Sequence, residues 1–434
     1  MDTTTYQPSP REIFPTRRDR MIQNFQPGHG WTLFGTTGAT FVDDTSDYCL
    51  GSQSIRLVTG GAGATHEIRS PVLSAIDLSA QNLALAVKVD SFTHYSDLQL
   101  RVSSNGFSDY AYCRPVYTSA GQRWIEPGIW HLLTISRGES VPAFSWNNGG
   151  WNYSGAKASV NWSAITGIRF KVVDDTSGSI TVRINKLSQF AQPAKAILSL
   201  IFDDSRDTHF TVAKSYMDKY GLVATSAVIT NVLGTAGYMT TLQVKDLRSK
   251  SGWSLIAHAH DNASGNLTHQ NGYDGLTLVK GEADILTMKA NLNEIGADGS
   301  NILALPHGSW SLNTPGTIGA NADVLGTVAK HFDAGRTTSS NMFETYPPAH
   351  PYKLRSFTPD SSDAPADWLA ALDSAIAAKA WAMMQFHNIV ASPSVASEVT
   401  PTDFRTFIDG VAARVASGAL LVRTLHDVLE YGAA

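Results

Sequence analysis

The chain has 434 residues and a net charge of −5 at neutral pH, with no long basic run. That length suits two domains, and the charge argues against nucleic acid as a partner. No apolar stretch is long enough to cross a bilayer.

Residues 1–30 carry Pro8, Pro10, Pro15 and Pro27 without sustained periodicity, which predicts an extended arm. Arg11, Arg17, Arg18 and Arg20 are followed by no apolar core, so no signal peptide is expected. From 31 to 190 short β-branched runs recur, among them SIRLVTG, LALAVKVDSF, LQLRVSS, HLLTISR, GIRFKVVD and ITVRINKL. Runs of this length split by Gly, Asn, Asp and Ser predict an all-β sandwich or jelly roll. Trp146, Trp151 and Tyr153 flank the glycines of NNGGWNYSG. They could stack on sugar rings or cover a sandwich edge. Cys49 and Cys113 lie in the same half of the chain and could form one bridge.

After Gln192-Pro193 the pattern changes to alternating strand and helix, predicting a second domain over 194–434. AILSLIF, LVATSAVIT, SLIAH, NILALP, a short run near Ala334, WAMMQFH and LLVRT read as strands. Helical segments separate them, several closing at glycine (Gly221, Gly252, Gly296). Such βα units predict a parallel sheet closing into a distorted (β/α) barrel of about seven strands.

Ligand and proton-carrying residues stand at four of these strand ends, where α/β folds build their sites. Asp203 and Asp204 follow the first strand, and Ser205, Asp207 or Thr208 could cap the helix beyond. Adjacent strand residues face opposite ways, so the two carboxylates can hold a metal and move a proton separately. His258 ends SLIAH, with His260 and Asn262 close behind; Pro306, His307, Gly308 and Trp310 follow NILALP; His387 ends WAMMQFH. A single histidine of this kind is commonly structural, but four strand ends agreeing is a site.

These residues resemble the metal-dependent polysaccharide deacetylases of carbohydrate esterase family four, over about Lys195 to Tyr431. Phe202-Asp203-Asp204 is similar to the family's first motif, and Gly252 through His258 to its second, with Asn262 standing where a second histidine is usual. Leu305-Pro306-His307-Gly308-Ser309-Trp310 resembles the aromatic-proline-glycine loop, and Met383 to His387 the last motif. The resemblance implies Asp203 as general base, His387 as general acid, and Asp204, His258 and Asn262 as ligands of a divalent metal. Zinc comes first, with cobalt or nickel as alternatives. Pro306, His307, Gly308 and Trp310 would line the substrate, with the His307 backbone N–H helping to hold the oxyanion. The β-rich half resembles a carbohydrate-binding module.

Three departures stand out. Asn262 offers a neutral oxygen where nitrogen suits zinc better, and His260 is the rival ligand if the strand continues. His269 is a more distant candidate. Ala304 occupies the place of an arginine that steadies the base, a charge Arg336 could supply from the next strand. Asp367-Trp368 only faintly matches the motif that tunes the acid histidine.

The expected activity is removal of acetyl groups, N-acetyl first and O-acetyl as the alternative, from a microbial surface polysaccharide. The alternative is a catalytically impaired glycan-binding or adhesion protein, with a phage tail-associated protein, such as a tail spike, as one form of it. Either predicts an acetylated polysaccharide as partner, an extracellular, virion or cell-surface location, and leaves an oligomer open.

Overall fold

A computed structural model describes residues 19–35, 38–63, 65–116, 125–138, 150–261, 272–308, 310, 324–338 and 343–432. These fall into two compact units. One runs to Gln192 and takes in Pro347–Ala349, and the other comprises Pro193–Tyr346 with the residues from His350 onward.

The first unit is a sandwich of two antiparallel sheets. One sheet contains β1 (Arg20–Gln23), β3 (Thr40–Asp44), β4 (Ser54–Val58), β6 (Gln81–Val89), β9 (His131–Ile135) and β12 (Thr181–Ala191). Its order is β3-β4-β12-β6-β9, with β1 also paired to β12. The other contains β2 (Thr32–Gly35), β5 (Thr65–Arg69), β7 (Tyr95–Ser103), β8 (Tyr110–Cys113), β10 (Asn152–Ser154) and β11 (Gly167–Asp174), in the order β10-β8-β7-β11-β5-β2. Alternation builds the core, as in β11, where Ile168, Phe170 and Val172 are buried and the residues between them are not. These three pack with Leu85, Val87 and Leu100 in one apolar cluster.

Three expectations change here. The end of the proposed arm is sandwich, because β1 pairs with β12 and Phe25 is buried against Trp31 and Phe170. Trp151 is core rather than an exposed platform: it is 2% exposed, donates Nε1–H to the Ser136 carbonyl at 2.8 Å and packs edge-on to Trp162. Cys49 and Cys113 are both free, and Cys113 is buried within β8. Trp146 lies outside the described residues.

The second unit is a curled parallel sheet with helices packed around it, a (β/α) barrel with seven strands. They are β13 (Ala196–Phe202), β14 (Thr225–Ile229), β15 (Ser254–Ala259), β16 (Gly299–Ala304), β17 (Ala334–Arg336), β18 (Trp381–Phe386) and β19 (Leu420–Val422). The order is β17-β16-β15-β14-β13-β18, with β19 also on β13. All seven residues of β13 are buried, as a central parallel strand requires. Residues 354–357 join the two edges: Leu354 bonds to Gly335 and Thr337 beside β17, and Phe357 to Met383 and Gln385 of β18.

The chain after β13 does not form the simply capped helix predicted. It winds through a π-turn segment (His209–Lys214), a short α-turn and a 3-10 turn before Gly221 closes it at φ 62°. Thr208 makes no cap, because its Oγ1 donates to the Asn388 side chain 2.8 Å away.

Candidate active site

Asp203 and Asp204 leave β13 at its carboxyl end, and both are buried. Asp204 and Ser205 have left-handed backbones, φ 75° and 58°. Two consecutive non-glycine residues there store strain on the order of 1–3 kcal/mol each. Neighbours hold the turn: Ser205 Oγ accepts from the Ile229 N–H at 3.0 Å, and its carbonyl accepts from Met239 N–H at 2.9 Å. The sharp reversal sends the two carboxylates to different partners.

Asp203 Oδ2 accepts from Arg336 Nη2 at 2.5 Å. Arg336 ends β17 and is fully buried, and its Nη1 donates to Gln385 Oε1. Gln385 also accepts from Ser356 Oγ at 3.1 Å and donates to Thr358 Oγ1 at 2.5 Å. Burial would push the Asp203 carboxyl up, but the guanidinium, with His258 and His387 adding to it, holds it below the usual carboxylate range. Asp203 Oδ1 is buried with no hydrogen-bond partner. A charge beside Asp203 that Ala304 could not supply thus comes from Arg336 on β17.

Asp204 faces His258. Asp204 Oδ1 lies 3.3 Å from His258 Nε2, and Arg206 Nη2 is 3.9 Å from Asp204 Oδ2. His258 Nδ1 is 2.7 Å from the carbonyl of Ala304, so Nδ1 carries a hydrogen. Nε2 then meets a carboxylate oxygen, and either a proton or a cation must lie between them. With a proton there, burial would lower the imidazole's pKa, but the hydrogen bond to Asp204 and the charges of both aspartates raise it. With a cation, the pair forms the usual ligand geometry of a histidine fixed through its other nitrogen by a backbone carbonyl. The donor set thus fits a divalent metal. Among the described residues no group of three His, Cys, Asp or Glu side chains could hold one. Asp204 and His258 supply two ligands, and Asn262 and His269 lie outside the described residues.

His260 turns elsewhere. Val228 pairs with Ala257 and Ile229 with Ala259, so His258 sits in a bulge and the strand ends one residue later. Beyond that bulge alternation no longer puts residues 258 and 260 on one side. The His260 ring meets Thr230 Oγ1 at 2.8 Å and Asn291 Nδ2 at 3.3 Å, against the helix Leu278–Ile295.

His387 follows β18 and is half-buried, with Nδ1 lacking a hydrogen-bond partner. Two contacts fix its backbone: Asp203 N–H donates to Phe386 O at 2.9 Å, and His209 Nε2 lies 2.8 Å from His387 O. Burial pushes His209 down to about 4, so it is a neutral donor to that carbonyl.

Pro306, His307 and Gly308 turn at the end of β16, with His307 at φ 56° and exposed. Gly308 has no room for a side chain, since a Cβ would fall 2.3 Å from the Thr338 nitrogen. Trp310 is 6% exposed, with Lys353 Nζ over its ring at 3.7 Å. Asp367 accepts from the Ala364 N–H at 3.1 Å at the start of the helix Pro365–Ala378, and buried Trp368 packs on Phe386 and Phe407. His209, Ser356 and Thr358 carry no motif signal, and they and the role of Gln385 become visible only in the fold.

No protein-family model matches this chain, and no curated protein matches it. Carbohydrate esterases of family 4 and carbohydrate-binding modules are both among the solved structures it is similar to. One is a carbohydrate-binding module of the β-sandwich superfamily, 15% identical, with 40% of this chain and 62% of that one covered and a TM-score of 0.29. A second is a Streptococcus pyogenes deacetylase in complex with acetate, 22% identical over 38% of this chain and 66% of that one, TM-score 0.29. A third is a family 4 acetyl xylan esterase from Clostridium thermocellum with a cobalt ion, 14% identical over 54% of this chain and 91% of that one, TM-score 0.35. The chain spans less than two thirds of the length of the first two.

Proposed function

We propose that the barrel unit is a metal-dependent hydrolase that removes acetyl groups, N-acetyl in preference to O-acetyl, from a microbial surface polysaccharide. The observation that carries this is the pair Asp204 Oδ1 and His258 Nε2, 3.3 Å apart, beside an Asp203 kept ionised by Arg336.

Asp204 and His258 would hold the divalent cation, zinc ahead of cobalt or nickel for a nitrogen and carboxylate set, with Asn262 as the expected third ligand. Bound there, the ion would acidify a water and polarise the acetyl carbonyl. Asp203, its free Oδ1 lacking any other partner, takes the proton of the attacking water. Arg336 keeps that carboxylate charged and aimed. The His307 backbone N–H donates to the oxygen that gains charge on the acetyl carbon. An amine is a poor leaving group until protonated, and His387 delivers that proton from the neighbouring strand.

Acetate release from acetylated amino-sugar and acetylated xylan polymers, with and without chelator, tests the proposal. Chelation should stop release, and metal should restore it. Asp203→Asn should lower turnover by about 10²–10⁴-fold while metal content by elemental analysis stays unchanged. Full activity in metal-free protein removes the metal-dependent mechanism, no acetate release from any acetylated polymer with metal present removes the hydrolase reading, and a preference for xylan moves it to O-acetyl esters.

A further inference from the structure

The outward face of the β10-β8-β7-β11-β5-β2 sheet holds a charge pattern that folding alone disfavours. Thr32, Arg69, Arg169, Arg101, Tyr112 and Asn152 are successive cross-strand partners, one from each strand. Three arginines therefore stand side by side, with Cβ atoms about 4.5–5.5 Å apart, an arrangement that costs stability. Lys171 lies in the next row, and Arg114 follows β8. Against these five cations (Arg69, Arg101, Arg114, Arg169 and Lys171) the face offers two carboxylates, Glu67 and Asp97. The excess is three positive charges on a chain whose net charge is −5.

The carboxylates present are fully used. Glu67 is shared by Arg101 at 2.5 Å and Arg169 at 3.3 Å, and Asp97 by Arg114 at 3.1 Å and Gln99 at 2.6 Å. Arg69 and Lys171 form no ion pair among the described residues, and Arg169 Nε is buried with no hydrogen-bond partner. The guanidiniums sit over rings. Arg69 and Arg169 cover Phe34 at 4.6 and 4.4 Å, and Arg101 covers Tyr110 at 4.7 Å. Arg101 is buried and spends its N–H groups on Glu67 and Gln99, whereas Arg69 is exposed, held by its ring with an edge that suits a carboxylate.

We propose that this sheet face binds an acidic polysaccharide, one with carboxylates spaced along the sugar chain. Six strands at about 4.8 Å make a row of roughly 24 Å, long enough for several sugar units. Arg69, Arg169 and Lys171 meet the carboxylates, and Thr32 and Asn152 at its two ends suit hydroxyls. Nucleic acid fits less well: the rings that would stack on bases are covered by guanidiniums, and the chain as a whole repels phosphate.

The proposal goes beyond the hydrolase reading and is tested independently of it, on the full chain carrying Asp203→Asn. The probes are polygalacturonate and the same polymer with its carboxyls reduced, in affinity gels and titration calorimetry. Polygalacturonate should bind at about 0.05 M salt and weaken by at least roughly tenfold at about 0.5 M. Arg69→Ser/Lys171→Ser should weaken it by at least about tenfold with an unchanged melting temperature. Equal binding of the reduced polymer, equal binding by the double variant, or tighter binding of single-stranded DNA overturns the proposal.

Discussion

At the barrel rim Arg336 is fully buried and shares its donors between one carboxylate and one amide, Asp203 and Gln385. On the open sheet of the sandwich, Arg69 is exposed and rests on a phenyl ring with no carboxylate partner among the described residues. The two regions use the same guanidinium under opposite constraints. Out of water an unmatched charge is too costly to keep, so Asp203 and Gln385 fix the two Nη groups of Arg336, and only its buried Nε has no hydrogen-bond partner. In water, screening makes an excess of charge tolerable, so cations can accumulate for a partner that arrives from outside. A buried pair therefore marks chemistry within the chain, and an unbalanced surface marks recognition beyond it.

Removing one partner from each region should separate these cases. The largest effect is expected for Arg336→Met, which strands Asp203: about 3–5 kcal/mol lost in urea unfolding. Adding Asp203→Asn to it should restore most of that loss; a double variant as unstable as the single one would show that the charge pair is not the cause.

Next comes the buried His209, whose folded value of about 4 lies below the ordinary 6.5. Above pH 6.5 the ring is neutral folded or unfolded, and its contribution is fully present. As pH falls toward 4 only the unfolded chain gains the proton, so stability drops by up to about 3 kcal/mol. His209→Gln should flatten that part of the stability curve, measured by unfolding across the acid range. The smallest effect is expected for Arg69→Ser/Lys171→Ser, less than about 0.5 kcal/mol by the same assay. A large loss there would mean that the sheet face is structural.

The sequence carried the strands of the barrel and the ionisable residues at their ends clearly, because buried parallel strands such as Ala196–Phe202 are short apolar runs with polar residues at the rim. Asp204 and His258 could be grouped because each stands at the carboxyl end of a strand of one parallel sheet, β13 and β15, with β14 between them. The bulge at His258 was not legible, since one extra residue leaves the composition unchanged yet redirects His260. Trp151 next to glycines looked like a surface ring, and only the sandwich shows the hydrogen bond to Ser136 that buries it. The arginine row on the sheet was hidden for a different reason. Arg69, Arg101 and Arg169 are far apart in the chain, and register alone lines them up.

The seam formed by residues 354–357 has a consequence for how activity should fail. It is closed by a few single backbone bonds rather than a continuous ladder, and Ser356 within it also bonds to Gln385. Parting the wall at that stitch would withdraw the Arg336 guanidinium from Asp203 while the remaining strands stay zipped. Warming should therefore silence turnover before the far-ultraviolet signal begins to fall.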